Sequence, residues 1–174
     1  TSQWLQGDRF DGTMNYSFRE TMTDFFATKR INTKEFSDSL AFLYSMYSFE
    51  ALSSCQNLLS SHDVKRFLNR CGNNEEGVLG AVFLQATFPG IAGIYYGDEI
   101  GLAGADDPFN RAAFPWENNK LWNTKILQYT QELMNIKNSN SIFKYGRFEL
   151  VQHDEDIVVF RRILKDESLL CIVN

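Results

Sequence analysis

The chain has 174 residues, a net charge of -5 at pH 7 and 44% hydrophobic residues, which is enough for one domain with a substantial core. It contains no apolar run near the roughly 20 residues of a membrane-spanning helix, and no basic cluster suited to nucleic acid phosphates. We interpret Cys55, Cys71 and Cys171 as free thiols, because they are too scattered for a disulfide framework or a zinc site. The composition therefore argues against nucleic acid and membrane partners and favours a neutral ligand.

The first third of the chain predicts one strand and two helices. Residues 10–16 are the strand candidate. Ser17 and Glu20 then have the spacing of a capping box, which predicts the start of a helix. A second helix, with Thr33 as its cap, is predicted over 33–52, because its apolar residues recur at spacings of three and four.

The middle of the chain alternates strands and helices. A short buried strand over 55–59 ends on the polar cluster 60–63, and a helix follows over 74–88. The next strand, 91–96, is almost wholly apolar, as expected of a parallel strand that is covered on both faces. After a long loop, a third amphipathic pattern predicts a helix over 121–137.

The last part of the chain changes character. It contains three short strand candidates joined by polar segments, which predict an antiparallel meander: 147–151, 157–163 and 169–173. The polar run 138–141 lies between this part and the preceding strands and helices, so we divide the chain into a region 1–140 and a region 141–174.

Two polar clusters follow predicted parallel strands. His62 and Asp63 follow the first strand, and Asp107 and Arg111 lie in the loop after the second. Because the loops at the carboxyl ends of parallel strands converge, these residues are candidates for one site. Taken alone, the first pair would by default be a helix cap, and the second could equally be a surface salt bridge.

Four motifs follow one another along the chain: Phe10-Asp-x-x-Met-Asn-Tyr16, Ser61-His-Asp63, Tyr95-Tyr-Gly-Asp-Glu-Ile-Gly101 and Asp107-Pro-x-Asn-Arg111. Their order and separations resemble the alpha-amylase superfamily of glycoside hydrolases, and the opening segment 4–16 is most similar to its neopullulanase, cyclomaltodextrinase and maltogenic amylase subgroup. The resemblance implies an α/β fold, with strands six to eight of a partial (β/α)8 TIM barrel and their helices in 1–140. Antiparallel strands that begin a C-terminal β domain would follow in 141–174.

The same resemblance implies roles for the polar residues. Asp63 corresponds to the third catalytic carboxylate, which stabilises the transition state of a retaining glycosidase, and His62 would donate a hydrogen bond to the same sugar. Asp107 and Arg111 would bind a sugar further from the cleaved bond. We expect Asp98 and Glu99 to be structural anchors, through hydrogen bonds to loop amides and a neighbouring arginine, rather than catalytic groups. The implied substrate is an α-1,4-glucan, a maltooligosaccharide or a cyclomaltodextrin.

The nucleophile and the general acid of such an enzyme are not recognisable in the chain, and we expect them to precede it. The isolated polypeptide is therefore predicted to be inactive. No metal or cofactor is expected in this segment, although calcium stays open for a longer parent protein. The subgroup favours a cytoplasmic location, with secretion as the other option. The alternative to an enzyme is a non-catalytic scaffold or glucan-binding subunit, and open sheet edges predict self-association.

Overall fold

The structure is a computed structural model that describes residues 2–174. Its helices are α1 (Tyr16–Met22), α2 (Thr33–Ser45), α3 (Phe49–Ser54), α4 (Phe67–Arg70), α5 (Glu75–Thr87), α6 (Thr124–Ser139) and α7 (Ser141–Tyr145). Its strands are β1 (Gln56–Leu58), β2 (Ile91–Gly93), β3 (Arg147–His153), β4 (Val158–Leu164) and β5 (Glu167–Val173). β1 and β2 form a parallel pair with α4 and α5 between them in sequence, while β3, β4 and β5 form an antiparallel sheet in that order.

The strand predicted over 10–16 is much shorter in the structure. Met14 forms a single parallel bridge to Gln56. The Gln56 N–H donates to the Thr13 carbonyl, and the Asn15 N–H donates to the Gln56 carbonyl, both at 2.8 Å. Since Asn15 also caps α1, the chain turns into the helix after one step of the ladder.

Both predicted helix caps lie one or two residues from the observed ones. The side chain of Asn15, rather than Ser17, caps α1. The side chain of Asn32, rather than Thr33, caps α2, where it accepts from the Glu35 N–H at 2.9 Å while the Glu35 carboxylate accepts from the Asn32 N–H at 2.9 Å. This reciprocal pair is the capping box that the helix start requires.

The helix predicted over 33–52 is interrupted. α2 ends at Ser45, and the Ser48 hydroxyl accepts from the Ala51 N–H at 3.2 Å to begin α3. Apolar periodicity continues through this break, and periodicity alone therefore did not reveal it. The structure confirms the helices predicted over 74–88 and 121–137 as α5 and α6, and it confirms the antiparallel meander at the end of the chain.

β2 is less covered than its apolar sequence predicts. Its regular pairing ends at Gly93, and within residues 2–174 it pairs with β1 only. Ile91 is 54% exposed, and Ile94 and Tyr96 are also exposed. The expectation that the segment 91–96 is buried on both faces was therefore wrong for the described chain, because no other described strand lies along its second edge.

One large core joins the helices to the C-terminal sheet. Its largest fully buried aromatic side chains are Phe18, Phe36, Phe67, Phe88 and Phe160. The three cysteines are free and buried, and burial raises the pKa of the Cys71 thiol to about 12 and that of Cys171 to about 11. None of the helices within residues 2–174 has the length and apolar character needed to cross a membrane.

Two buried cations connect this core to the end of α5. Arg162 on β4 is fully buried and donates to the carbonyls of Thr87, Phe143 and Gly146. Lys137 on α6 donates to the Ala86 carbonyl at 3.0 Å. Burial lowers the pKa of Lys137 to about 8, with a further contribution from Arg162. Together these contacts hold the end of α5, which leads directly into β2.

Candidate functional site

The first half of the candidate site is the loop that follows β1. His62 Nε2 and Asp63 Oδ1 lie 3.2 Å apart, and both side chains are about 60% exposed. The Ser61 hydroxyl accepts from the Asp63 N–H at 3.2 Å and is hydrogen-bonded to the Tyr16 hydroxyl, also at 3.2 Å. The segment that leads into α1 therefore helps to fix the backbone of Asp63.

The second half of the site is the long loop after β2. Arg111 Nε lies 2.9 Å from Asp107 Oδ1, with both side chains at least half exposed, and the same Nε donates to the His62 carbonyl at 3.2 Å. The Asn110 side-chain amide donates to the carbonyls of His62 at 2.9 Å and Val64 at 3.1 Å. All four residues selected from the sequence are thus brought into one neighbourhood through the His62 backbone.

This geometry excludes the helix-cap alternative for the first pair. Asp63 does not cap a helix, because α4 begins at Phe67 and its cap position is Arg66. The salt bridge considered for Asp107 and Arg111 is present, and it also joins the β1 loop. The exposed groups combine carboxylate acceptors with guanidinium and imidazole donors. An uncharged ligand with many hydroxyls can bind both, because each hydroxyl can donate and accept hydrogen bonds.

Sequence reasoning missed the arginine that lies beneath these exposed groups. Arg66 is fully buried, and its Nε donates to the Asn110 carbonyl at 3.0 Å. Its Nη1 donates to the Tyr96 carbonyl and to Asp98 Oδ1, the latter at 3.2 Å. The guanidinium carbon lies 4.4 Å from the ring centre of Tyr95 and 4.7 Å from that of Tyr96. Its position three residues after Asp63 could have marked it as a candidate site residue. Its hydrogen-bond partners are distant along the chain, so the sequence alone did not reveal its role.

Asp98 is the anchor that the sequence predicts, paired with a neighbouring arginine. Its side chain is only 17% exposed, and burial raises its pKa to about 6, although the Ser60 hydroxyl and Arg66 favour the charged form. The carboxylate is therefore mostly ionised at pH 7 and can balance the charge of Arg66. Glu99 Oε2 is buried without a hydrogen-bond partner among the described residues, so the anchor role is established for Asp98 alone.

Over residues 2–174, no three histidine, cysteine, aspartate or glutamate side chains are grouped so that they could share a metal ion. The roles of His62, Asp63, Asp107 and Arg111 in binding or catalysis stay predictions at this point.

Residues 1–146 match the family model described as alpha amylase, catalytic domain. The chain belongs to the alpha-amylase family. Neopullulanase 2 of Thermoactinomyces vulgaris is 38% identical over 175 residues, and a cyclomaltodextrinase of Thermoanaerobacter pseudethanolicus is 35% identical over 173 residues. Each alignment covers 99% of this chain but 30% of the relative. This alpha-amylase family chain thus spans about a third of the length of these relatives.

Solved structures of alpha-amylase family enzymes have the same arrangement. The cyclic alpha-maltosyl-(1→6)-maltose hydrolase of Arthrobacter globiformis superposes with a TM-score of 0.94 at 34% identity, over 99% of this chain and 39% of that one. Its complex with maltose superposes with a TM-score of 0.91 at 33% identity, over 98% and 38% of the two chains. The described residues therefore form part of a TIM-barrel enzyme fold followed by antiparallel β strands.

Proposed function

We propose that this chain supplies the sugar-contacting part of the active site of a retaining α-glucan glycosidase of the neopullulanase and cyclomaltodextrinase type. The observation that carries the proposal is the junction at His62, whose carbonyl accepts from both Asn110 and Arg111. Through this junction, the loop that carries the exposed carboxylate of Asp63 is hydrogen-bonded to the loop that carries the exposed pair of Asp107 and Arg111. The family membership of the chain supports the same assignment.

In this proposal, Asp63 accepts hydrogen bonds from two adjacent hydroxyls of the sugar whose bond is cleaved. Such contacts strengthen as the ring gains oxocarbenium character, so they lower the barrier rather than only retain the substrate. His62 donates a hydrogen bond to the same sugar. Arg111, held by Asp107, presents fixed donors to a glucose unit further along the glucan.

The catalytic step also requires a carboxylate nucleophile and a carboxylic acid, held about 5 to 5.5 Å apart in a retaining glycosidase. We assign both to a part of the enzyme outside these 174 residues. The residues around Met14, β1 and β2 are then the sixth, seventh and eighth barrel strands. The predicted boundary at 140/141 stays a prediction; the family model ends at 146, and α7 lies between these positions.

Binding by the chain itself is the first test. Isothermal calorimetry with maltohexaose and with a cyclomaltodextrin should detect binding to the wild type, and Asp63→Asn should weaken it at least about tenfold, because a carboxylate acceptor becomes a neutral amide. Asp166→Asn, in an exposed turn remote from the site in sequence, is the matched control. Equal affinity for the wild type and Asp63→Asn would contradict the role of Asp63.

A chimera tests catalysis. The corresponding segment of the Thermoactinomyces vulgaris neopullulanase 2 is replaced by this chain, and the anomeric form of the first product is followed by NMR. We expect hydrolysis with retention, and a loss of about 100- to 1000-fold in kcat for the chimera with Asp63→Asn. A folded chimera that binds glucan but does not hydrolyse it would favour the non-catalytic, glucan-binding subunit instead.

We also propose that the isolated chain self-associates through the second edge of β2. Ile91 and Ile94 are exposed there and line a groove of about 850 Å³ together with Tyr145. An unpaired apolar strand edge tends to pair with another strand. Light scattering should therefore report a dimer or larger species that Ile91→Lys dissociates, whereas Phe42→Lys, at an exposed apolar residue of α2 away from any strand edge, serves as the control. A monodisperse wild-type monomer with low apolar-dye binding would contradict self-association.

A further inference from the structure

Arg66 lies where three backbone segments meet. Its N–H donates to the Gly104 carbonyl at 3.0 Å, its Nε to the Asn110 carbonyl at 3.0 Å, and its Nη1 to the Tyr96 carbonyl. These acceptors belong to the end of the β2 segment and to two separate points of the long loop after it. One residue, through its backbone N–H and its side chain, therefore connects the β1 loop to three points along the β2 segment and the loop after it.

Asn110 donates hydrogen bonds from the β2 loop back to the β1 loop. Its side-chain amide donates to the carbonyls of His62 and Val64, while its own carbonyl accepts from Arg66. Asn110 is only 1% exposed, so these bonds are shielded from competing water. The two loops are thus joined by hydrogen bonds in both directions, all on the protein side of the exposed site residues.

Two glycines allow the backbone to approach the arginine. A Cβ at Gly104 would lie 2.9 Å from Arg66 Cγ and 2.7 Å from the Phe109 carbonyl oxygen. Gly97 has a φ of 89°, which favours glycine, and a Cβ there would lie 3.2 Å from Arg66 Nη1. The loop after β2 is therefore shaped around the Arg66 side chain.

The side chains that face the proposed ligand pair mainly with one another, His62 with Asp63 and Arg111 with Asp107. His62, Asp63, Asp107 and Arg111 all have side chains that are at least half exposed. Their positions relative to one another depend on the backbone beneath them. A fixed guanidinium fork can hold several carbonyl acceptors at once, which an ammonium on a flexible stem cannot do as well.

We propose that Arg66 is a positioning residue for the sugar site. It touches no sugar, and it holds the loop of Asp63 at a fixed distance from the loop of Asp107 and Arg111, so that one glucan can reach both. The inference rests on the proposed function for its ligand, while the fixing of the two loops can be measured without any ligand.

Hydrogen exchange followed by mass spectrometry on the 174-residue chain tests the fixing of the loops. In Arg66→Met, we expect amide exchange in 61–66 and 104–111 to be at least tenfold faster, with exchange in β4 unchanged. Arg30→Met, an exposed arginine that pairs with Asp24, should change neither region. Unchanged loop exchange, or an equal increase in β4, would overturn the inference.

Asn110→Ala is the second variant, for the case in which Arg66→Met does not fold. It removes the two bonds to the carbonyls of His62 and Val64 and keeps the Arg66 side chain. We expect the same local increase in exchange over 61–66. A folded Asn110→Ala protein with wild-type exchange in this segment would show that the bonds from the Asn110 amide are dispensable. Arg66→Lys, which loses the Nε bond to the Asn110 carbonyl, then decides, and wild-type exchange in that variant would overturn the inference.

Calorimetry with maltohexaose tests the consequence for the ligand. We expect Kd to rise at least tenfold in Arg66→Met and by less in Arg66→Lys, which keeps the charge but not the planar fork. Loops that loosen while the affinity stays at the wild-type value would overturn the positioning role. If the wild type binds no sugar, the proposed function fails, and the exchange result alone decides whether Arg66 fixes the loops.

Discussion

Arg66 and Arg162 are both fully buried cations that bind backbone carbonyls, but their surroundings differ in charge. Arg66 has the Asp98 carboxylate 3.2 Å away and two tyrosine rings beside it. Arg162 binds carbonyls at the ends of α5 and α7, and the nearby Lys137 is a second cation. The partial negative charge at a helix C-terminus can stabilise such cations in place of a carboxylate.

The difference shows how burial acts on each region. Beside Arg66, burial raises the pKa of Asp98 to about 6, whereas beside Arg162 it lowers the pKa of Lys137 to about 8. Both shifts have the same main cause, the cost of removing a charged group from water. Their effects on stability therefore have opposite slopes and fall in different pH windows.

The largest expected effect is the loss of Arg162. Arg162→Met leaves three buried carbonyl oxygens without this donor, and we expect the free energy of unfolding to fall by about 3 kcal/mol. Urea denaturation at pH 7 measures the loss. Arg161→Met, the adjacent residue on β4, removes only a half-exposed pair with Glu149 and should cost less than about 1 kcal/mol. Equal losses would show that the carbonyls of α5 and α7 do not need Arg162.

Lys137 should make the protein more stable as the pH rises. Its pKa is about 8 in the folded protein and near 10.5 when unfolded, so the unfolded chain binds more protons between these values. The free energy of unfolding then increases across this window, by about 3 kcal/mol at 1.36 kcal/mol per unit. The buried thiols Cys71 and Cys171 act in the opposite direction at high pH, because their pKa values are raised.

The contribution of Lys137 is therefore isolated as the difference between wild type and Lys137→Met, measured by urea denaturation from pH 7 to pH 10.5. The variant should lose the alkaline gain and be somewhat more stable than the wild type at pH 7. A difference that is constant over the whole range would show that Lys137 does not titrate in the window.

Asp98 should have an effect of similar size in acid, with the opposite slope. Its pKa is about 6 when folded and near 3.8 when unfolded, so the folded protein binds more protons between these values. The free energy of unfolding should fall by up to about 3 kcal/mol as the pH rises from 3.8 to 6. Asp98→Asn should remove this slope from the wild-type curve. A variant whose stability parallels the wild type from pH 3.8 to 7 would contradict the pKa shift.

The smallest effect on the free energy of unfolding is expected for Asn123, an uncharged residue that connects two helices. Asn123 caps α6 by accepting from the Ile126 N–H at 3.0 Å, and its amide donates to Glu75 at 2.6 Å. Asn123→Ala should lower the free energy of unfolding by about 1 kcal/mol, the same from pH 6 to 10, since neither lost bond involves a buried charge. A loss as large as that of Arg162→Met would mean that the buried charge of Arg162 does not make its loss more costly than the loss of an uncharged side chain such as Asn123.

The elements that sequence reasoning recovered depend on neighbours along the chain, and so does the choice of candidate site residues. α5 and α6 follow from apolar periodicity, and the meander follows from short apolar runs between polar turns. His62, Asp63, Asp107 and Arg111 could be selected because their residue types follow predicted strands. The break at Ser48 and the cap at Asn15 were missed, because competing local patterns were equally acceptable there.

The sequence by itself determined the family, the order of the motifs and the residue types that line the site, because these are properties of the chain read in order. Only the tertiary structure decided how the site is held. Arg66 meets Asn110 across 44 residues, and Arg162 meets Thr87 across 75. Whether a charge is buried, what balances it and where its pKa lies depend on which distant segments surround it, and no local pattern contains that information.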